Sequence, residues 1–158
     1  KEVNIFEGKK HIATTNVIAR KSFFYPIKTY QKLESDPINN ITNAFSKLEE
    51  EGFKLAVASN SIRNTVRTMM ELSALLPYLD FYLSNEDVKK PKPNPDIYLN
   101  ALQRLGLEPN EILVLEDNKH GLKAAQEAKC NVLKIKTVED ANYKNIRSFI
   151  SKIEARVC

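Results

Sequence analysis

Three short polar stretches each follow an apolar run, and they hold the side chains with most chemistry to offer. Ser59-Asn60-Ser61 follows Phe53-Lys-Leu-Ala-Val-Ala58. Lys92 stands between Pro91 and Pro93, a little beyond Asp80-Phe-Tyr-Leu83 and the polar run Ser84-Asn85-Glu86-Asp87. Glu116-Asp117-Asn118 follows Ile112-Leu-Val-Leu115. A hydroxyl and the backbone N–H groups after it, set at a strand-to-helix turn, can hold an anion. Ser59 reads equally as an ordinary N-cap, because Ser and Asn are favoured there whatever the function. Prolines on both sides of Lys92 fix the backbone and lower the entropy lost when its ammonium is positioned. A fixed ammonium can balance a phosphate and a carboxylate together. The other reading is a Pro-rich linker with solvated lysines, which suits Lys89 and Lys90. Two adjacent carboxylates ending an apolar strand repel each other unless a cation offsets them. Magnesium takes one or two protein carboxylates and completes its shell with water and phosphate oxygens. A solvated acidic turn is the alternative for Glu116 and Asp117.

These stretches need elements that bring them to one place. Phe53–Ala58, Asp80–Leu83, Ile112–Leu115 and Asn131–Ile135 have strand character, and the third is apolar throughout, as a strand covered on both faces should be. Helical spacing separates them. Ile41, Ala44, Phe45 and Leu48 recur on one face before a C′ glycine, Gly52. Residues 62–76, 96–105 and 121–129 also read as helices, the second opened by Pro95 at N1 and closed by Gly106. Tyr143–Ile153 reads as a closing amphipathic helix with no catalytic role. Strands alternating with helices at this spacing predict an α/β fold: a doubly wound parallel sheet with helices on both faces and right-handed crossovers. In such a sheet the site lies at the carboxyl ends of the strands, where all three polar stretches fall. Residues 1–37 stand outside this rhythm. Val3–Phe6 could be a strand and Ile18–Leu33 one or two helices, with a boundary at Pro37 and the regular core over 38–158.

Composition narrows the class. The chain has 158 residues, of which 42% are hydrophobic and 28% charged, enough for a packed core in one domain. No apolar run approaches the roughly 18 residues of a membrane span, and no basic-then-apolar leader is seen. The net charge of +4 is dispersed along the chain, which argues for a solvated surface and against a nucleic-acid footprint. Two cysteines, Cys130 and Cys158, are too few for a disulfide framework or a zinc cage, so a reducing, cytoplasmic setting is expected. Because the chain opens on Lys1, a processed or partial product is expected.

Leu55-Ala-Val-Ala-Ser-Asn-Ser61, Lys92-Pro-Asn-Pro-Asp-Ile-Tyr98 and Val114-Leu-Glu-Asp-Asn118 with Gly121 and Ala124-Ala125 together resemble the haloacid dehalogenase superfamily, in its phosphatase and β-phosphoglucomutase branch. The resemblance runs over residues 38–136. It implies a doubly wound sheet, a helical cap inserted after the first strand, and magnesium-dependent phosphoryl transfer. It implies that Ser59 and the N–H of Asn60 bind the transferring phosphoryl group, that Lys92 serves the same group, and that Glu116 and Asp117 hold magnesium. The family nucleophile is the first Asp of an Asp-x-Asp motif, and this chain has none: its aspartates are Asp36, Asp80, Asp87, Asp96, Asp117 and Asp140. Phe6-Glu7-Gly8 is the nearest imitation. Residues 1–37 then resemble the remnant of a cap, with the first strand upstream of Lys1 and another chain or fragment completing the sheet. The family also has Gly near Lys129 or Cys130, where the helix ends in a left-handed residue; here either Asn131 supplies that conformation or the turn is looser.

The function expected is hydrolysis of a small phosphomonoester, such as a sugar phosphate, by the complete protein, with this chain lacking the nucleophile. The alternative is a catalytically inactive binding or regulatory module on the same fold. A receiver-like signalling domain also uses strand-end carboxylates and a lysine, but has no place for the Lys92–Tyr98 stretch. His11 and His120 add little. Lys92→Ala is expected to lower turnover with little loss of stability.

Overall fold

The computed structural model of the chain describes residues 11–14 and 37–155. Five strands, β1 (His11–Thr14), β2 (Leu55–Ala58), β3 (Phe81–Leu83), β4 (Ile112–Glu116) and β5 (Asn131–Lys134), form one sheet. Its order is β3-β2-β1-β4-β5, and every pairing is parallel. The helices are α1 (Pro37–Glu50), α2 (Arg63–Leu72), α3 (Asp96–Leu105), α4 (Lys119–Glu127) and α5 (Tyr143–Glu154). The chain thus winds outward from β1 in both directions, which is the doubly wound α/β architecture.

β4 is buried at all five positions, and its alternation splits the core in two. Leu113 and Leu115 join Leu55 and Val57 of β2 beneath α1, α2 and α5, with Phe45, Val66 and Ile150 among the buried residues. Ile112 and Val114 point the other way, into a layer with Ile97, Ala101, Ala124 and Ala125 of α3 and α4. The periodicity of α1 is met residue for residue: Ile41, Ala44, Phe45 and Leu48 are all buried. Among the described residues no helix is long and apolar enough to cross a membrane.

The centre of the sheet departs from the sequence reading. Residues 1–37 were expected to lie outside the sheet, with the first strand upstream of Lys1 and a partner filling its place. Instead β1 occupies the central position, Ile12 opposite Leu55 of β2 and Leu113 of β4. A parallel sheet without that strand would leave two facing rows of backbone N–H and C=O groups unpaired. Four residues suffice to pair both rows, so the chain itself supplies the strand assigned to a partner. Val3–Phe6, Glu7 and Ile18–Leu33 lie outside the described residues, and so does the rest of the cap expectation.

A second departure is local. The left-handed residue after α4 is Lys129, with φ of +61°, and not Asn131, which already starts β5. Lys129 N–H donates to Gln126 C=O at 2.9 Å and Cys130 N–H to Ala125 C=O at 3.0 Å, the paired closure of a Schellman motif. The same closure ends α1, but there Gly52 takes φ of +82°. A side chain in this conformation costs about 1–2 kcal/mol, against about 0.5–1 kcal/mol for the extra freedom glycine has when unfolded. Lys129→Gly is therefore expected to stabilise the protein by roughly 0.5 kcal/mol, seen as a rise of about 1–2 °C in the thermal midpoint.

Candidate active site

At the carboxyl edge of the sheet, β2 runs directly into Ser59, which is 2% exposed. Its N–H continues the ladder to Leu83 C=O at 3.0 Å, and its Oγ accepts the N–H of Ser61 at 3.1 Å. The N-cap of α2 is Ile62, with extended backbone and no side-chain cap. Ser59 therefore closes the turn and does not cap the helix, which removes one of the two readings open in the sequence. Asn60 turns its side-chain amide to the next loop: Nδ2 donates to Lys92 C=O and Oδ1 accepts Lys92 N–H, both at 3.0 Å. This two-point pairing mimics a strand contact and fixes the backbone of Lys92 against the end of β2.

Lys92 then reaches inward. Its side chain is 3% exposed, and Nζ donates to Ala58 C=O at 3.0 Å and to Glu116 Oε2 at 3.1 Å. The ammonium also lies 5.0 Å from the centroid of the Tyr98 ring, within cation–π range. Burial holds the Lys92 amine below its ordinary range, while the charges of Glu116 and Asp117 favour the ammonium. Lys89 and Lys90 are exposed.

Glu116, 1% exposed, ends β4 inside the protein. Oε2 accepts from Lys92 Nζ and from the Tyr98 hydroxyl, each at 3.1 Å. Oε1 accepts Asn118 N–H at 3.1 Å. Asn118 is the N-cap of α4, its Oδ1 taking His120 N–H at 2.9 Å. The carboxylate presses on Gly121 in the first turn of α4, where an added Cβ would lie 1.9 Å from Oε2. Asp117, the next residue, is half-buried.

A cavity of about 270 Å³ opens over this pair. Lys92, Pro93 and Glu116 line it together with Asn60, Asn118, His120 and Gly121. Of the residues singled out in sequence, Asn60, Lys92 and Glu116 reach the cavity wall, whereas Ser59 and Asp117 sit beside it and are not part of its lining. His120, set aside in the sequence reading, lines the cavity. Tyr98 was missed as a polar residue because its spacing on α3 marks it as core, and no sequence pattern tells where a buried hydroxyl points. The Lys92→Ala expectation also changes, since removing a buried ion-pair partner strands a charge.

Among the described residues no three His, Cys, Asp or Glu side chains group as a metal cage. Glu116 on the cavity wall, with Asp117 next to it in the chain, is nevertheless a donor set that magnesium accepts, with water and phosphate oxygens as the other ligands. Cys130 is buried and its thiol is pushed up to about 11 by desolvation, so it is no nucleophile at neutral pH.

A parallel sheet wound outward from its centre, with one polar cavity at the carboxyl ends of β2 and β4, defines a doubly wound α/β protein of the kind that holds ligands at its switch point. Comparison with known proteins narrows the class. A model of the haloacid dehalogenase-like hydrolases matches residues 5–135. Pyrophosphatase PpaX of Bacillus pumilus is 32% identical over 88 residues, 56% of this chain and 41% of that protein, so the chain spans about two fifths of that relative. A solved hydrolase of the same superfamily from Ehrlichia chaffeensis superposes with a TM-score of 0.59 at 26% identity, over 70% of this chain and 56% of that one. CbbY of Rhodobacter sphaeroides, solved in complex with phosphate, gives a TM-score of 0.56 at 28% identity, over 59% and 43%. The chain belongs to the haloacid dehalogenase-like hydrolase family.

Proposed function

We propose that this chain is the phosphate- and magnesium-binding core of a phosphoryl-transfer enzyme that hydrolyses a small phosphomonoester, a sugar phosphate being the favoured class. The observation that carries this reading is the buried Lys92–Glu116 pair at the wall of a polar cavity, with a second carboxylate, Asp117, beside it. Burying an ammonium is costly, and balancing phosphoryl charge is a use that would offset the cost. In this reading Lys92 balances phosphoryl oxygens, while the Ser59 hydroxyl and the N–H of Asn60 orient them. Glu116 and Asp117 hold magnesium, which when bound neutralises charge on the phosphoryl oxygens. The chain contains no Asp-x-Asp, so in this reading these 158 residues do not themselves supply the family's aspartyl nucleophile. A cytoplasmic setting is part of the proposal.

One observation favours a second reading, a binding module without turnover. β1 fills the central position in the sheet, yet no Asp or Glu occurs between His11 and Leu33. Titration with magnesium and inorganic phosphate, alongside a panel of phosphomonoesters, separates the two. Binding with turnover supports the enzyme; binding without turnover supports the module; no binding of either ligand overturns both. Asp117→Asn is expected to weaken magnesium binding about tenfold or more, since one of two carboxylate charges is lost. An unaltered titration would reduce the acidic pair to a turn.

A further inference from the structure

The Glu116 carboxylate is held from several sides, and its two oxygens are held differently. Oε2 takes the Lys92 ammonium and the Tyr98 hydroxyl, each at 3.1 Å. Behind it stands Gly121, so close that a Cβ there would be 1.9 Å away. A carboxylate oxygen has two lone-pair sites, so two strong donors and a packed wall saturate Oε2. Oε1 takes the backbone N–H of Asn118 at 3.1 Å, a neutral donor. Tyr98 itself is fully buried on α3, and phenylalanine would fill the same space. A hydroxyl in that position is a burden unless hydrogen-bonded, and it donates to this carboxylate.

We infer that Tyr98 is a positioning residue for Glu116: its hydroxyl joins Lys92 in holding Oε2 and so sets how the carboxylate is presented to a cation. The ammonium, itself tied to Ala58 C=O, holds Oε2 from one direction only, and a second donor is needed to set the orientation of the group. The phenol is carried on a rigid ring packed in the core, and it sets the plane of the carboxylate. Partners that orient a ligating carboxylate in this way typically contribute 10–100-fold in metal affinity. The inference rests on the reading of Glu116 and Asp117 as magnesium ligands.

The test is a titration of the chain with magnesium alone, followed through the backbone amide signals of Asp117 and Asn118, for the unaltered protein and Tyr98→Phe. Thermal midpoints of both, without metal, are measured in parallel. The expected result is a dissociation constant raised about 10–100-fold in Tyr98→Phe, with the protein folded. Equal constants would overturn the role of Tyr98 and leave the metal reading standing. A lowered midpoint with equal constants, or failure of Tyr98→Phe to fold, would make the hydroxyl a structural group and overturn the role in the same way. No response of the unaltered protein up to tens of millimolar magnesium would overturn the metal reading itself, and this inference with it.

Discussion

Lys92→Met is expected to destabilise the fold by about 3–5 kcal/mol, because it leaves a buried carboxylate without its counter-charge. Methionine keeps most of the stem volume, so packing changes little and the loss is mainly electrostatic. Glu116 would keep the Tyr98 hydroxyl and the Asn118 N–H, but neither carries a charge. The double variant Lys92→Met/Glu116→Leu is expected to recover more than half of the loss, since replacing a whole buried ion pair by apolar groups is often neutral or stabilising. Equilibrium denaturation of the two singles and the double gives the coupling directly. A single-variant loss below about 1 kcal/mol would mean that the pair behaves as a solvated surface bridge. The pH dependence has a definite sign. In Lys92→Met the stranded Glu116 carboxyl rises above its ordinary value of about 4.3. Its penalty is present above that raised value and vanishes below about 4.3, so the variant regains stability relative to the unaltered protein as pH falls. Lys92 in the unaltered protein lies below its ordinary 10.5. In the window just under 10.5 the unfolded chain binds more protons, so the unaltered protein gains on the variant as pH rises.

Much of this site follows from the chain's organisation. Apolar runs of four to six residues, alternating with helical spacing, already require a parallel sheet, and a parallel sheet puts Ser59, Lys92 and Glu116 at one edge. What the pattern does not contain is direction. Asn60 has an amide that could face solvent, cap α2 or, as found, clasp the backbone of Lys92; all three are chemically ordinary. Tyr98 has the spacing of a core residue and is one, and only its hydroxyl belongs to the site. β1 was hidden for another reason. His11-Ile-Ala-Thr14 has no alternation and only two apolar residues against three in Val3-Asn-Ile-Phe6, so the latter makes the stronger strand signal, yet a central position flanked by two apolar strands can draw in a weak segment through backbone pairing alone. Lys129 was passed over because sequence logic favours Gly or Asn in the left-handed region, and here closure of α4 onto β5 outweighs that preference.

Gly121→Ala is the second change with a large expected effect, and its sign in isolation is the reverse of helix propensity. In the interior of a helix, alanine is better than glycine by about 1 kcal/mol. At this position of α4 the new methyl would lie 1.9 Å from Glu116 Oε2, 2.1 Å from its Cδ and 2.7 Å from its Cγ, so the two groups cannot both stay. Three atoms of one side chain are struck at once, and a small rotation does not clear them. Either α4 moves away from β4, opening the layer that holds Ala124 and Ala125, or Glu116 swings out and gives up Lys92 and Tyr98. Overpacking costs about 1–3 kcal/mol and a broken buried pair about 3–5 kcal/mol, so the loss should be about 1–3 kcal/mol if α4 shifts and about 3–5 kcal/mol if the pair breaks. The two routes separate in a second background. With Glu116→Ala already in place the methyl meets no carboxylate, and the added Gly121→Ala should be neutral or stabilising by up to about 1 kcal/mol. If the loss persists in that background, α4 is tight against something other than Glu116. If it reverses, the glycine is there to make room for the carboxylate, and the first turn of α4 is shaped by the chemistry at the end of β4.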